Sequence, residues 1–287
     1  MQVSEFLEQI KQDKSYRRRI AHIEHIPSRK AKFTSPRKPL PNDLQTALEK
    51  QGVKKLYKHQ TEALEAARNG ENFVVITSTA SGKTLCYNLP VLEKLLSDPT
   101  ARALYIFPTK ALAQDQLGKL NMFPTADILH PSTYDGDTPT SLRSRIRKGS
   151  RLILTNPDML HISILPYHAG WAQFFRNLKY VVVDEIHSYR GVFGSHVGNV
   201  LRRLRRIASH YGAEPQFLCA SATIANPAEH FNKLTGLNAR VIGEDTSPSG
   251  EKFFVFWNPP TLAKTQERRS ANIEAAELFS NLVMSET

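Results

Sequence analysis

Phe73-Val74-Val75-Ile76-Thr77 runs without a break into Ser78-Thr79-Ala80-Ser81-Gly82-Lys83-Thr84. The first five residues are apolar or β-branched with no polar alternation, the pattern of a strand buried on both faces of a sheet. Small side chains follow, so backbone N–H groups can face an anion, and a helical pattern opens at Lys83 with its positive end at the same point. A lysine at a helix start is electrostatically disfavoured unless an anion offsets it. Strand, small-residue loop and Gly-Lys-Thr ending together read as a phosphate-binding loop. Thr79, Ala80, Ser81, Gly82, Lys83 and Thr84 are its candidate cradle, with Lys83 for the β/γ oxygens and Thr84 for Mg²⁺. One departure stands out: Thr77 occupies the place of the first glycine in G-x-x-x-x-G-K-T.

Working outward, four more short apolar runs recur: ALYIF (103–107), RLILT (151–155), YVVVD (180–184) and FLCAS (217–221). Helical patterns separate them at 83–97, 109–119 and 192–210. This rhythm predicts an α/β domain with a mostly parallel sheet and helices on both faces. At the end of YVVVD stand Asp184-Glu185-Ile186-His187. Two adjacent carboxylates at a buried strand end are costly unless a cation or a reaction uses them. Downstream of a phosphate loop, Asp184 is the candidate Mg²⁺ ligand and Glu185 the group that polarises water.

Composition narrows the class. With 287 residues, 40% apolar and 23% charged, the chain can bury a core and is not disordered. There is no apolar run near 18 residues and no charged-then-apolar leader, so neither a membrane span nor a secretory signal is expected. Cys86 and Cys219 are too few for a disulfide framework or a zinc site and are expected to be small buried hydrophobes. The net charge is +11, and residues 1–60 carry 14 Lys+Arg against 6 Asp+Glu. That stretch reads as an amphipathic segment (Phe6, Leu7, Ile10), Arg17-Arg18-Arg19 and a Pro-rich strap outside the main sheet, either a solvated arm or a nucleic-acid contact. Two further clusters, Arg143, Arg145, Arg147, Lys148, Arg151 and Arg202, Arg203, Arg205, Arg206, carry the same two readings.

TASGKT (79–84) and DEIH (184–187) together resemble the superfamily-2 helicases of DExH type, and further segments follow in the family's order. Tyr57-Lys58-His59-Gln60 resembles the glutamine motif, which implies that Tyr57 and Gln60 bind the nucleotide, the Gln60 amide reading the adenine edge. Thr109-Lys110 in PTKAL (108–112) resembles motif Ia and Thr155-Asn156 in TNPDML (155–160) motif Ib. With Asp135 and Gly136 of YDGDT (134–138), these are the implied strand contacts. Ser221-Ala222-Thr223 resembles motif III, the implied coupling element, and His187 is expected to couple to it. The strings TASGKTLCYNLPVL (79–92), YRGVFGSHVGNV (189–200) and SATIANP (221–227) resemble in particular the MrfA (YprA)-type bacterial DNA-repair helicases.

The resemblance implies a RecA-like first lobe that uses ATP and Mg²⁺, 3′→5′ movement on single-stranded or partly duplex DNA, and a role at mitomycin-type damage in the bacterial cytoplasm, at the nucleoid. The expected organisation is a basic N-terminal extension over 1–40, the lobe over 41–257, and a linker with the first helix of a second lobe over 258–287. No Q-x-x-G-R-x-G-R-like arginine-finger segment is present, nor the family's cysteine-rich zinc module. The partner expected besides DNA is therefore a second RecA-like lobe of a longer chain, with this part monomeric and weak in unwinding. The alternatives are a nucleic-acid-binding adaptor with a vestigial nucleotide site, suggested by Thr77, or an RNA helicase lobe.

Overall fold

The computed structural model describes residues 3–14, 16, 19–123, 126–262 and 266–284. Arg17 and Arg18 of the N-terminal basic run lie outside them. The strands are β1 (Ile20–Ile26), β2 (Phe73–Ile76), β3 (Arg102–Ile106), β4 (Ser132–Thr133), β5 (Leu152–Thr155), β6 (Leu178–Val183), β7 (Gln216–Ser221), β8 (Arg240–Ile242) and β9 (Lys252–Trp257). The chain divides into two compact units, Lys30–Pro248 and the pair Met1–Arg29 with Ser249–Thr287.

In the larger unit seven strands pair in the order β4-β5-β3-β6-β7-β2-β8, every neighbouring pair parallel. The five apolar runs form its centre, and the two short strands at the edges, β4 and β8, had no apolar run to announce them. Alternation within the runs builds two cores. Tyr105 and Val182 face one layer with Leu64, Tyr87 and Leu89. Leu104, Val181 and Val183 face the other with Phe175, Leu201 and Phe231. Burial on both faces is why these strands carry no polar alternation. The helices Lys83–Ser97, Lys110–Asn121 and Gly191–His210 stand within a residue or two of their patterns.

The unit boundaries differ from the expected ones at 40 and 257. Residues 30–40 belong to the lobe because their backbone is tied into it: Lys32 N–H donates to Thr246 O at 2.9 Å, Lys58 N–H to Lys32 O at 2.9 Å, and Phe33 bridges Tyr57. Residues 249–257 leave it because β9 pairs antiparallel with β1 in a two-stranded ribbon. The basic N-terminal stretch thus contains the helix Val3–Gln12 and a strand. The helix Ala271–Met284 joins that same unit through Glu274, which is buried and accepts from Arg19 (2.9 Å), Arg269 (2.8 Å) and Trp257 Nε1 (3.0 Å). Among the described residues no helix is long and apolar enough to cross a membrane. Cys86 and Cys219 are both buried and unpaired by disulfide.

Candidate nucleotide and strand site

Parallel strands end on one side of the sheet, and the crevice outside their carboxyl ends is where such folds bind ligands. The strand order places the phosphate loop (after β2), motif III (after β7) and the Asp184–His187 segment (after β6) side by side. Motif Ia (after β3), motif Ib (after β5) and YDGDT (after β4) fill the other half of the same edge.

The phosphate loop turns through two left-handed residues, Ala80 at φ +62° and Gly82 at φ +81°. Gly82 suits the left-handed φ, which strains a residue with a Cβ, and a Cβ there would also press on the Gln60 amide, 2.5 Å from its Nε2. Thr79 and Ala80 form the exposed tip, and Ser81 is buried. Lys83 Nζ donates to the carbonyls of Thr77 (2.8 Å) and Ser78 (2.9 Å). Thr77, in the glycine's place, is buried, with its hydroxyl 2.6 Å from Ser81 Oγ. It braces the loop, which removes the sequence argument for a vestigial site.

Gln60 is buried and both ends of its amide are engaged: Oε1 accepts from Tyr57 N–H at 2.9 Å, and Nε2 donates to Gly82 O at 3.1 Å. The structure therefore uses this amide to tie the glutamine motif to the phosphate loop, where the resemblance implied adenine reading. Tyr57 lies beside Gly82 and stacks on Phe33 with centroids 5.3 Å apart. Phe33, half-exposed, is a flat surface next to the loop that the sequence reading did not single out.

Three further residues were missed. His59 is fully buried, with Nδ1 2.7 Å from Thr246 Oγ1 and Nε2 3.1 Å from Ser81 O. Asp245 accepts from the N–H and hydroxyl of Ser78 and from Ser247. Burial works against its charge, but these donors hold the carboxyl well below the usual range. The segment after Gly243 thus holds both ends of the phosphate loop, Asp245 at Ser78 and Thr246 through His59 at Ser81. Its first residue, Glu244, is held down to about 2 by Lys32 and Lys58, at 2.7 and 2.6 Å.

Tyr87, also missed, makes the central link. Its hydroxyl donates to Asp184 Oδ2 at 2.8 Å. Tyr87 stands on the helix Lys83–Ser97, so this bond ties the phosphate-loop helix to the carboxylate at the end of β6. Burial pushes the Asp184 carboxyl up, with Glu185 beside it adding repulsion against the pull of Tyr87. The hard oxygen donors of Thr84 and Asp184 are of the kind that would suit Mg²⁺. Glu185 sits in the left-handed region at φ +51°, a conformation that costs a residue with a Cβ about 1–3 kcal/mol. Its Oε2 lies 3.1 Å from His187 Nδ1, and Ala222 N–H lies 3.2 Å from the same nitrogen. Nδ1 accepts from Ala222 when unprotonated and donates to Glu185 when protonated, so His187 stands between Glu185 and motif III. In motif III itself Ser221 is buried and Thr223 exposed. His230 Nε2 contacts Ile186 O at 2.7 Å, a second tie on this turn.

On the strand half, two of the expected contact residues are buried. Thr155 is 1% exposed and donates to Tyr134 O at 2.7 Å. Asp135 is 3% exposed and accepts at Oδ1 from the N–H groups of Asp137 (2.9 Å) and Thr138 (3.1 Å). Both shape the YDGDT turn and neither presents its side chain at the surface, because a short polar side chain can satisfy nearby turn amides directly. Thr109 and Asn156 cap helices, accepting from Leu112 N–H (3.3 Å) and Met159 N–H (2.9 Å). Lys110 is exposed, paired with Asp137 at 2.8 Å and close to Gly136. Arg143 holds the same turn through Thr138 O and Asp135 O, and Arg151 is buried on the carbonyls of Leu95 and Asp98. Tyr134 and Tyr189 are core residues.

Comparison with known proteins places this geometry. Residues 57–231 match the DEAD/DEAH box helicase family. The chain is 50% identical over 262 residues to the ATP-dependent helicase YprA of Bacillus subtilis, covering 90% of this chain and 35% of YprA. It is 41% identical over 290 residues to the ATP-dependent helicase HRQ1 of Saccharomyces cerevisiae, covering 98% of this chain and 27% of HRQ1. The crystal structure of the helicase MrfA bound to DNA and AMPPNP superposes with a TM-score of 0.91 at 46% identity, over 99% of this chain and 39% of MrfA. The chain thus spans well under half the length of the relatives it matches.

Proposed function

Because the chain belongs to the DEAD/DEAH box helicase family, we propose that it is the ATP-binding lobe of an ATP-driven DNA helicase. The observation that carries this is the Tyr87 hydroxyl, on the helix that the phosphate loop opens, bonded at 2.8 Å to Asp184, beside a loop with two left-handed residues. That MrfA is bound to DNA and AMPPNP supports the choice of nucleotide and strand. For the longer protein, 3′→5′ movement, a role at mitomycin-type damage, a zinc module beyond this lobe and work at the bacterial nucleoid follow the same kinship.

In this reading Thr84 and Asp184 hold Mg²⁺, and bound Mg²⁺–ATP supplies the phosphoryl group to be transferred. The loop N–H groups of Thr79–Thr84 bind the phosphates, Lys83 exchanges the carbonyls of Thr77 and Ser78 for their oxygens, and Phe33 with Tyr57 offers a face to the base. Glu185 orients the attacking water and takes its proton, with His187 relaying its position to Ala222. A second RecA-like lobe closes the site and contributes the arginine. Lys110, Gly136 and the capped helix starts at Thr109 and Asn156 bind strand phosphates without reading sequence.

The test measures ATP binding and turnover with and without single-stranded DNA, for this chain and for one extended through the second lobe. Lys83→Ala should lose ATP binding. Glu185→Gln should bind ATP and lose turnover in the extended protein. A parent chain with no measurable ATP binding would sink the reading in favour of an adaptor with a vestigial site.

A further inference from the structure

The long helix Gly191–His210 carries four arginines near its end, and the structure sorts them by face. Arg202 donates to Lys233 O at 2.7 Å and Arg205 to Thr235 O at 2.8 Å. Both satisfy the orphan carbonyls at the end of the helix Pro227–Thr235, where a positive charge is also favoured. Arg203 and Arg206 do something else. They border a groove of about 450 Å³ between this helix and residues 157–161. Pro157, Val197 and Val200 form its apolar floor, and Phe193, 44% exposed, its wall. His161, His196 and Asn199 complete the rim, with Asp158 as its one acid. Among the described residues, none of these rim side chains makes a hydrogen bond or an ion pair, Arg203 and Arg206 included.

Donors without acceptors around an apolar slot call for a ligand with anionic oxygens and a flat apolar face. A nucleotide strand offers both, phosphates for guanidinium groups and a base face for an aromatic ring. An acidic peptide matches the charge but has no regular flat face for Phe193. The groove also begins at Pro157, next to the motif Ib residue Asn156 that caps the same short helix. We propose that this groove binds a stretch of single-stranded nucleic acid, with phosphates on Arg203 and Arg206 and a base against Phe193. The proposal rests on the reading of the chain as a helicase lobe and extends the strand path beyond motif Ib.

The experiment is fluorescence anisotropy of a labelled oligothymidylate with this chain from low to moderate salt. In R203Q/R206Q two phosphate contacts are removed, so the slope of log K against log salt should fall by about 1.4, at roughly 0.7 per phosphate of a single strand. Phe193→Ala should weaken binding by about 5-fold or more with the slope unchanged, since stacking releases no counterions. R202Q/R205Q should lower Tm but leave the slope alone. Parent-like affinity and slope in R203Q/R206Q would overturn the proposal. So would an equal slope change in R202Q/R205Q, which would mean bulk charge, or a parent chain that binds no oligothymidylate. Polyglutamate that displaces DNA from the parent but not from R203Q/R206Q supports the groove as the shared anion site; tighter polyglutamate than DNA binding at equal charge would assign it to an acidic peptide instead. ATP binding and its loss in Lys83→Ala, read in the same samples, keep failure of the groove distinct from failure of the nucleotide site.

Discussion

The phosphate loop and the groove beside motif Ib lie on the same lobe and are built on opposite terms. Around the loop nearly every polar group is tied to another: Thr77 to Ser81, His59 to Thr246 and Ser81, Gln60 to Gly82, Asp245 to Ser78. Among the described residues, the rim side chains of the groove have no such ties. A site that handles transferring phosphate in a fixed geometry benefits from donors already in place. A surface that must take hold of a moving strand and release it has less use for rigidity, and its side chains stay available. The difference separates two kinds of mutation: those near the loop should change stability and nucleotide use together, and those at the groove should change strand affinity while Tm stays put.

The largest effect is expected at the loop's chemical partner. Glu185→Gln in the protein extended through the second lobe should lower turnover by about 10²–10⁴-fold, the usual range for losing a positioned proton acceptor, with ATP binding retained. Unchanged turnover would remove Glu185 from that part. Next comes His59→Ala, far from any reacting atom in role but joined to the loop at Ser81. Two buried partners lose their hydrogen bonds, so unfolding should become easier by about 1–3 kcal/mol and ATP binding should weaken as well. A stability loss with unaltered ATP affinity would break the idea that the loop is held in shape from outside. Thr77→Val keeps shape and deletes the brace to Ser81, for about 1 kcal/mol in chemical denaturation. No loss at all would make Thr77 a passive substitute for glycine.

The smallest effect is set by pH. The Glu244 carboxyl is lowered to about 2 by Lys32 and Lys58. A carboxyl depressed on folding adds stability above its unfolded value near 4.3, and that advantage is lost as pH falls toward 2. The Tm difference between the parent and Glu244→Gln should therefore be present at pH 6 and shrink below about pH 4.3. It should also fade with salt, because the pairs are solvent-exposed. A difference independent of pH would mean that Glu244 contributes by packing and not by charge.

Much of the lobe was legible in the chain. Strands buried on both faces must be apolar throughout, so five runs announced five central strands, while β4 and β8, short and at the edges, carried no such signature. The phosphate loop and Asp184-Glu185 were legible because their chemistry demands particular residue types at a strand end. The supporting residues were not. His59, Tyr87 and Asp245 act through contacts with residues distant in sequence: Tyr87 with Asp184 and Asp245 with Ser78. The turn bonds of Thr155 and Asp135 were hidden for a related reason, since a threonine and an aspartate near a turn serve a phosphate or the turn's own polar groups equally well by type. Only burial separates the two uses.

By itself, then, the sequence determined which residues carry chemistry and that they stand at strand ends, because local pattern and residue type suffice for both. The tertiary structure decided their company. The order β4-β5-β3-β6-β7-β2-β8 divides motifs that alternate along the chain into a nucleotide half and a strand half. The pitch of one helix, with about 3.6 residues per turn, sends Arg202 and Arg205 to carbonyl oxygens and leaves Arg203 and Arg206 at a groove. No linear count of charges contains that division, because it depends on which face of the helix is already covered.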